Sequence, residues 1–292
     1  MDTQLLSAFI TVAQKLSFSQ AAEHLSLTQS AISKRIALLE EQLSVILFDR
    51  IGRRVVLTEA GQALLPRALL ILSVIDDTQR FMEQQKDDVN GTVRIATSHH
   101  IGIHRLPSLL KHYKQQYPEV HLQLQFIDSE QATRAIQQGE YDLALITLPD
   151  MKDTDDGDIQ HHLLWCDPMQ FVVNKQHPLS TKKRLTLKDL THYPAILPDI
   201  STRTTQLVQT LFSAHDIPFT ISMSTNHLDA IKMMVNVGLG WSTLPQRLID
   251  DNLHALPISK ITLERNLGCI HHRHRILSNA ARAMLDLLRQ QQ

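Results

Sequence analysis

The sequence predicts an α/β fold headed by a small, mostly helical module. Three observations carry this expectation. Residues 17–58 hold two short capped helices followed by a basic hairpin. Residues 59–86 keep an unbroken helical period. From Thr92 onward, short apolar strands alternate with helices, the pattern of a parallel sheet flanked by helices.

In chain order, Ser17-Phe18-Ser19-Gln20 fits a capping box and starts a helix at Phe18. Ala21, Ala22 and Leu25 put small residues where a second helix must pass close. Leu25-Ser26-Leu27-Thr28 breaks the pattern, and Thr28 caps the next helix. Ile32, Ile36, Leu39 and Leu43 are spaced four, three and four, which is one apolar stripe. Gln29, Ser30, Ser33 and Lys34 occupy the other face near the helix start. Such groups hydrogen-bond to base edges and phosphates. Leu47 to Leu57 reads as two short strands turned at Gly52, with Arg50, Arg53 and Arg54 crowding the turn as a phosphate-gripping wing requires. The candidate DNA contacts are Ser19, Gln20, Thr28, Gln29, Ser30, Ser33, Lys34, Arg35, Arg50, Arg53 and Arg54. A helical bundle with a merely solvated polar face would not need the turn spacing, the polar helix start and the arginine wing together. Net charge does not make the argument: residues 1–60 hold six Lys/Arg and six Asp/Glu, but five of the six cations lie in the second helix or the wing.

These residues resemble the LysR-type transcriptional regulators. The match runs through Phe9, Ser17-Phe18-Ser19, Ala21-Ala22, Leu25, Thr28-Gln29-Ser30-Ala31-Ile32-Ser33, Ile36, Leu39-Glu40, Leu43, Leu47-Phe48, Arg50 and Leu57-Thr58-Glu59-Ala60-Gly61. Ser44 departs from it, because the family usually places glycine there, where a left-handed helix end suits glycine best. The resemblance implies a winged helix-turn-helix binding double-stranded promoter DNA as a homodimer or homotetramer. It also implies a two-subdomain α/β domain, similar to periplasmic binding proteins, with a cleft for a small effector.

After the wing, Leu65, Ala68, Leu72, Ile75, Gln79 and Met82 are spaced three, four, three, four and three, a heptad seam. A seam on a helix leaving a DNA-binding module is expected to meet its twin in a second chain. Pro66 removes one helical hydrogen bond and favours a bend. Lys86 to Gly91 ends the helix and forms a hinge. Strands are expected at Val93–Ala96, Val120–Leu124, Asp142–Thr147, Gln170–Val173, Ala195–Leu197, Thr220–Ser224 and Gly240–Leu244. Helices are expected over 104–116, 129–138, 203–214, 227–237 and 278–292. The domains expected are therefore 1–58 (winged helix-turn-helix), 59–86 (linker helix), 87–91 (hinge), 92–165 with 266–292 (first effector-binding subdomain) and 166–265 (second).

A chain of 292 residues with 43% hydrophobic and 20% charged residues suits a multi-domain globular protein. Its net charge of −1 provides no overall field for nucleic acid, so any DNA binding must come from a local patch. Met1 to Ile10 lacks the basic start and long apolar core of a signal peptide, and no apolar run reaches the roughly 18 residues of a membrane span. A cytoplasmic protein without a membrane partner is expected. Two cysteines, Cys166 and Cys269, fit a reducing compartment.

Three segments share one design, in which a strand ends, small polar residues follow and a helix begins. They are Thr97-Ser98-His99-His100, Ser201-Thr202-Arg203 and Thr225-Asn226-His227. Helix N-termini present free N–H groups and a partial positive charge, which suits a small anionic effector. Ordinary N-capping is the alternative use of each segment alone. The resemblance adds Thr147 to this effector set. The sixteen histidines show no metal-binding spacing, so no metal or cofactor is expected. His271 to Arg275 reads as a solvated basic surface. A redox-responsive regulator using Cys166 and Cys269 is one alternative. An enzyme or a stand-alone ligand-binding protein is another, but no nucleophile elbow, phosphate loop or carboxylate pair is present, and neither would need residues 17–58.

Overall fold

The computed structural model describes residues 2–51, 54–83, 88–149, 157–258 and 261–290. They form two compact units, Met1–Asp88 with His274–Ser278, and Val89–Arg273 with Asn279–Gln292.

In the first unit, helix α1 (Thr3–Lys15) is capped by Asp2, whose carboxylate accepts from Gln4 N. Helix α2 (Phe18–His24) starts where Ser17 Oγ accepts from Gln20 N, and α3 (Gln29–Leu43) where Thr28 Oγ1 accepts from Ala31 N. Ile32, Ile36 and Leu39 are buried with Leu6, Phe9 and Val12 of α1, so the stripe read from spacing is the core face. Ser44 ends α3 at φ 56°, the left-handed geometry that glycine adopts at less cost. Strands β1 (Phe48–Ile51) and β2 (Arg54–Leu57) pair antiparallel. Glu40 Oε1 accepts from Leu47 N at 2.7 Å and so pins the hairpin to α3. Gly52 and Arg53 lie outside the described residues, as do Lys86 and Asp87 of the expected hinge.

Helix α4 (Glu59–Glu83) runs continuously through Pro66. A Cβ on its Gly61 would stand 2.3 Å from Leu47 O, which is why the start of α4 needs glycine under the wing. Within this chain, the first half of the heptad seam faces its own core. Ala68 is fully buried, and Leu65 and Leu72 pack on the core of their own unit. Among the described residues, the exposed large apolar side chains of α4 are Leu70 and Val74, off the seam, and Met82, on it.

In the second unit, β3 (Gly91–Thr97) lies between parallel neighbours β4 (Val120–Phe126) and β5 (Leu143–Thr147). Helix α5 (His99–His104) and helix α6 (Pro107–Gln116) replace the single helix expected over 104–116. Pro107 has no N–H to continue the first and opens the second. Helix α7 (Ser129–Gln137) precedes β5. The wholly parallel sheet is corrected too. Strand β6 (Ile159–Asn174) and strand β11 (Leu263–His272) are long and antiparallel to each other, and β11 also pairs antiparallel with β5. Strands β9 (Ser242–Pro245) and β10 (Leu253–Ala255) add antiparallel to β6. Strands β7 (Ala195–Leu197) and β8 (Ile221–Ser224) form a separate parallel pair. Short helix α8 (Leu187–Leu190) precedes β7, α9 (Arg203–Ser213) follows it, α10 (Leu228–Asn236) follows β8, and α11 (Asn279–Arg289) closes the chain.

Three clusters of buried residues pack on the long strands, one of them around Val172, Ile196, Ile231 and Leu244. A second gathers Ala96, Ala132, Ile136, Ala144, Ile146 and Ile270. The third gathers Met169, Phe171, Leu197, Val208, Phe212 and Trp241. Trp241 is fully buried, and its indole N–H donates to Leu190 O at 2.9 Å, so its polar edge is satisfied. No helix among the described residues is long and apolar enough to cross a membrane.

Candidate DNA-reading face and ligand cleft

On the first unit, Gln29, Ser30 and Lys34 of α3 are exposed and Ser33 is half-buried. Exposed Ser19 Oγ donates to Gln29 Oε1 at 3.2 Å, which ties the start of α3 to α2. Gln20 is exposed beside it. Thr28 is engaged as the helix cap, and its hydroxyl lies 3.0 Å from Ser30 Oγ. Arg35 donates to Gln4 Oε1 at 2.8 Å, which holds it against α1. Arg50 and Arg54 sit at the ends of the paired strands, opposite Val55 and Ile51.

On the second unit, strand ends converge on one cleft. Ser98, His99 and His100 follow β3, Asp128, Ser129 and Glu130 follow β4, and Thr147 ends β5. Thr202, Arg203 and Thr204 follow β7, Asn226 follows β8, and Arg265 of β11 completes the lining. The central cavity is small, about 60 Å³. A neighbouring one of about 290 Å³ shares Ser129, Glu130, Thr147 and Arg203 and adds Ser201, Gln206 and His161.

Contacts cross the mouth. Asn226 Nδ2 donates to Asp128 Oδ2 at 2.8 Å, while Asn226 Oδ1 accepts from Asp199 N. The His99 and His227 rings meet edge to face at 4.3 Å between centroids. His104 Nε2 lies 3.5 Å from Asp229 Oδ2.

Below the cavity, three side chains gather on buried Asp167 of β6. Arg265 donates to its Oδ2 from Nε at 3.0 Å and Nη2 at 2.9 Å. Arg105 donates to its Oδ1 at 3.2 Å, and His100 Nε2 lies 3.4 Å from Oδ2. The remaining Arg265 nitrogen donates to Thr204 Oγ1 at 2.9 Å. Burial pushes the Asp167 carboxyl up, but the hydrogen bond from His100 and the charge of Arg265 outweigh it and hold it at about 2. Burial lowers the His100 pKa despite the opposing pull of Asp167.

Of the expected effector residues, Ser98, His99, His100, Thr147, Thr202, Arg203 and Asn226 line the central cavity and Ser201 the neighbouring one. Three are elsewhere. Thr97 is buried beneath the lining and donates to Ser98 O. Thr225 accepts from His227 N, and the His227 ring rests on His99. The Ser201 hydroxyl is already spent on Asp199 Oδ1 at 2.7 Å. Sequence reasoning missed Asp128, Ser129 and Glu130, although they repeat the strand–polar–helix design after β4. It also missed Thr204 and Arg265, and for a single arginine within a strand no local signal exists.

His99 and His100 open a helix rather than lie on a strand, and among the described residues no group of three His, Cys, Asp or Glu is placed to hold a metal ion. The His271 to Arg275 surface is corrected in part: His271 is half-buried and stacks on His162, and its pKa is lowered by burial. Cys166 is exposed and donates to Glu264 Oε2, while Cys269 is buried. Desolvation and Glu264 raise the Cys166 thiol, and burial pushes Cys269 up to about 12. Both therefore hold their protons, and they pair with different partners, Asn266 and His162, on the ladder.

Comparison with known proteins identifies the family. Residues 3–62 match the model of the bacterial regulatory helix-turn-helix protein, lysR family, and residues 86–292 match the LysR substrate binding domain. The chain is 34% identical over 287 residues to the uncharacterized HTH-type transcriptional regulator YeiE of Escherichia coli K12, covering 96% of this chain and 94% of that one. Full-length OxyR C199D from Pseudomonas aeruginosa shares the fold with a TM-score of 0.74 at 21% identity, covering 100% of this chain and 94% of that one. The CcmR regulatory domain of Synechocystis PCC6803, solved in complex with 2-PG, matches with a TM-score of 0.61 at 24% identity, covering 69% of this chain and 97% of that one. The chain belongs to the LysR-type DNA-binding transcriptional regulators, with an N-terminal helix-turn-helix and a LysR substrate binding domain.

Proposed function

We propose that this regulator, working in the cytoplasm, reads promoter DNA through Gln29, Ser30, Ser33 and Lys34, with the wing arginines Arg50, Arg53 and Arg54 on phosphates. Its response is set by a small anionic effector held between subdomains 92–165 with 266–292 and 166–265. The observation that carries the effector half is the cavity shared by Ser98, Thr147, Arg203 and Asn226. These come from separate strand ends, where α/β sheets bind ligands. The start of α9 brings the positive end of a helix and the Arg203 side chain to the cavity lining, which suits an acid. The similarly folded CcmR regulatory domain, solved with 2-PG, sets a precedent for a small molecule in this fold.

Two copies joined through the exposed Leu70 and Val74 row would hold two recognition helices for paired half-sites. Effector closure of the cleft would then change the angle between the two DNA-binding arms. A thermal-shift screen of small organic acids and inorganic oxyanions tests the effector half, because a ligand preferring the native state raises Tm. A hit should lose its effect in Arg203→Ala, and a hit indifferent to Arg203→Ala places the ligand elsewhere.

A further inference from the structure

Helix α5 carries three histidines, and each meets a titratable group on an element far away in sequence. The helix is fixed on one side, where a Cβ on Gly102 would stand 2.3 Å from the Phe126 ring of β4. His99 faces His227, the cap residue of α10, with ring centroids 4.3 Å apart. His100 is 7% exposed and lies 3.4 Å from Asp167 of β6. His104 lies 3.5 Å from Asp229 of α10. The His100 and His104 rings are themselves 5.2 Å apart.

Protons load these contacts unequally. Two charged rings at the His99–His227 contact repel. The lining beside them holds Asp128, Glu130 and Arg203, and Asp128 is already engaged by Asn226. At His100 the facing carboxylate, Asp167, is matched twice by Arg265 and once by Arg105. Arg247 adds a further positive charge near Arg105. A proton on His100 therefore joins two arginines and His104 around one carboxylate. Burial, then Arg265 and His104, lower the His100 pKa against the pull of Asp167. A pKa lowered by the packed arrangement means that this packing is favoured at neutral pH and weakened as pH falls through the imidazole range. His104 alone opposes this, and its partner Asp229 is exposed, so their attraction is screened.

We propose that α5 is a proton-sensitive clasp. In a mildly acidic medium its histidines release β6 and α10, the cleft opens, and pH becomes a second input to the regulator. The clasp needs no ligand in the cleft, so it stands or falls apart from the effector reading above.

The chain carries its own reporter. Arg105, which caps α5, lies over the Trp165 ring at 5.3 Å from its centroid. The second of the two tryptophans, Trp241, is fully buried. Acrylamide quenching of tryptophan fluorescence in the ligand-free full chain is followed from about pH 7.5 to about pH 5.5, where histidines titrate. Asp167, held at about 2, stays charged throughout. Quenching should rise as pH falls while far-UV circular dichroism holds, and Trp165→Phe should remove the rise. His100→Gln should remove most of it, and His227→Asn should shrink it. His162→Gln, which alters another histidine of lowered pKa, should leave it in place. Flat quenching in the unaltered chain overturns the proposal. So does a rise that vanishes in His162→Gln, runs in step with loss of circular dichroism, or is unchanged in whichever of His100→Gln and His227→Asn folds.

Discussion

Asp167 and Arg265 are register partners on the two long antiparallel strands, and their side chains close a two-bond ion pair beneath the ligand cavity. Arg105 and His100 reach the same carboxylate from one side and Thr204 the same guanidinium from the other. The pair therefore ties strands β6 and β11 to the start of α9 through Thr204 and to α5 through His100.

Removing this carboxylate should be costly. Asp167→Ala leaves Arg265 buried without its charge partner, and such losses cost about 3–5 kcal/mol. Urea titration of the second unit's unfolding at pH 7.5 checks it. The pH dependence has a definite sign. The folded value of about 2 lies below the ordinary 3.8, so the stabilisation is present above about pH 4 and lost as pH falls toward 2. It amounts to about 2 kcal/mol, and Asp167→Asn should abolish that acid-dependent part.

A second pH effect lies in a milder range. Burial, with Arg289 and His271 nearby, lowers His162 from 6.5 to about 4. A depressed histidine means the folded chain binds fewer protons than the unfolded one. Its contribution is full above pH 6.5 and is lost as pH falls from there toward 4. The denaturation midpoint should drop between pH 7.5 and 5, and His162→Gln should flatten that drop. An unchanged slope in the variant would remove His162 as its source.

Leu70 and Leu72 should behave differently although they are two residues apart. Leu72→Glu puts a charge against the core of the first unit and should unfold it. Leu70→Glu with Val74→Glu alters only an exposed row, so helicity should stay and light scattering should show monomers. A double variant that keeps its oligomeric state would shift the interface to another surface.

Lys34→Ala should weaken specific and non-specific DNA alike and reduce the salt slope by about one, as for a phosphate contact. Ser33→Ala should weaken only the specific site, by about 1 kcal/mol for one base-edge hydrogen bond. Anisotropy titrations at several salt concentrations separate the two.

Much of this was legible because local rules acted alone. Ser17 and Thr28 cap the helices they precede, and Ile32, Ile36 and Leu39 bury the face their spacing marks. The heptad of α4 did not reveal that Leu65, Ala68 and Leu72 pack on their own unit, because a helix packed on its own core and a helix paired with a twin share one period. Strand β6 was seen only at Gln170 to Val173, since Ile159 to Asp167 mixes polar and apolar residues as it passes between cores. Of the cleft, the residues that follow strands were visible in the sequence. Arg265 was not, because its partners Asp167 and Thr204 lie 98 and 61 residues away.

The central claim is that this chain reads one DNA site and changes its grip when the cleft is filled. Its most direct test is DNase footprinting of the full-length protein on the promoter DNA beside its own gene, with and without an acid that raises its Tm. The account predicts two protected half-sites whose spacing or flanking cleavage changes when the acid is added, and a change that Arg203→Ala abolishes. Protection no different from that on scrambled DNA of equal length, or a footprint blind to every acid that binds, would contradict it.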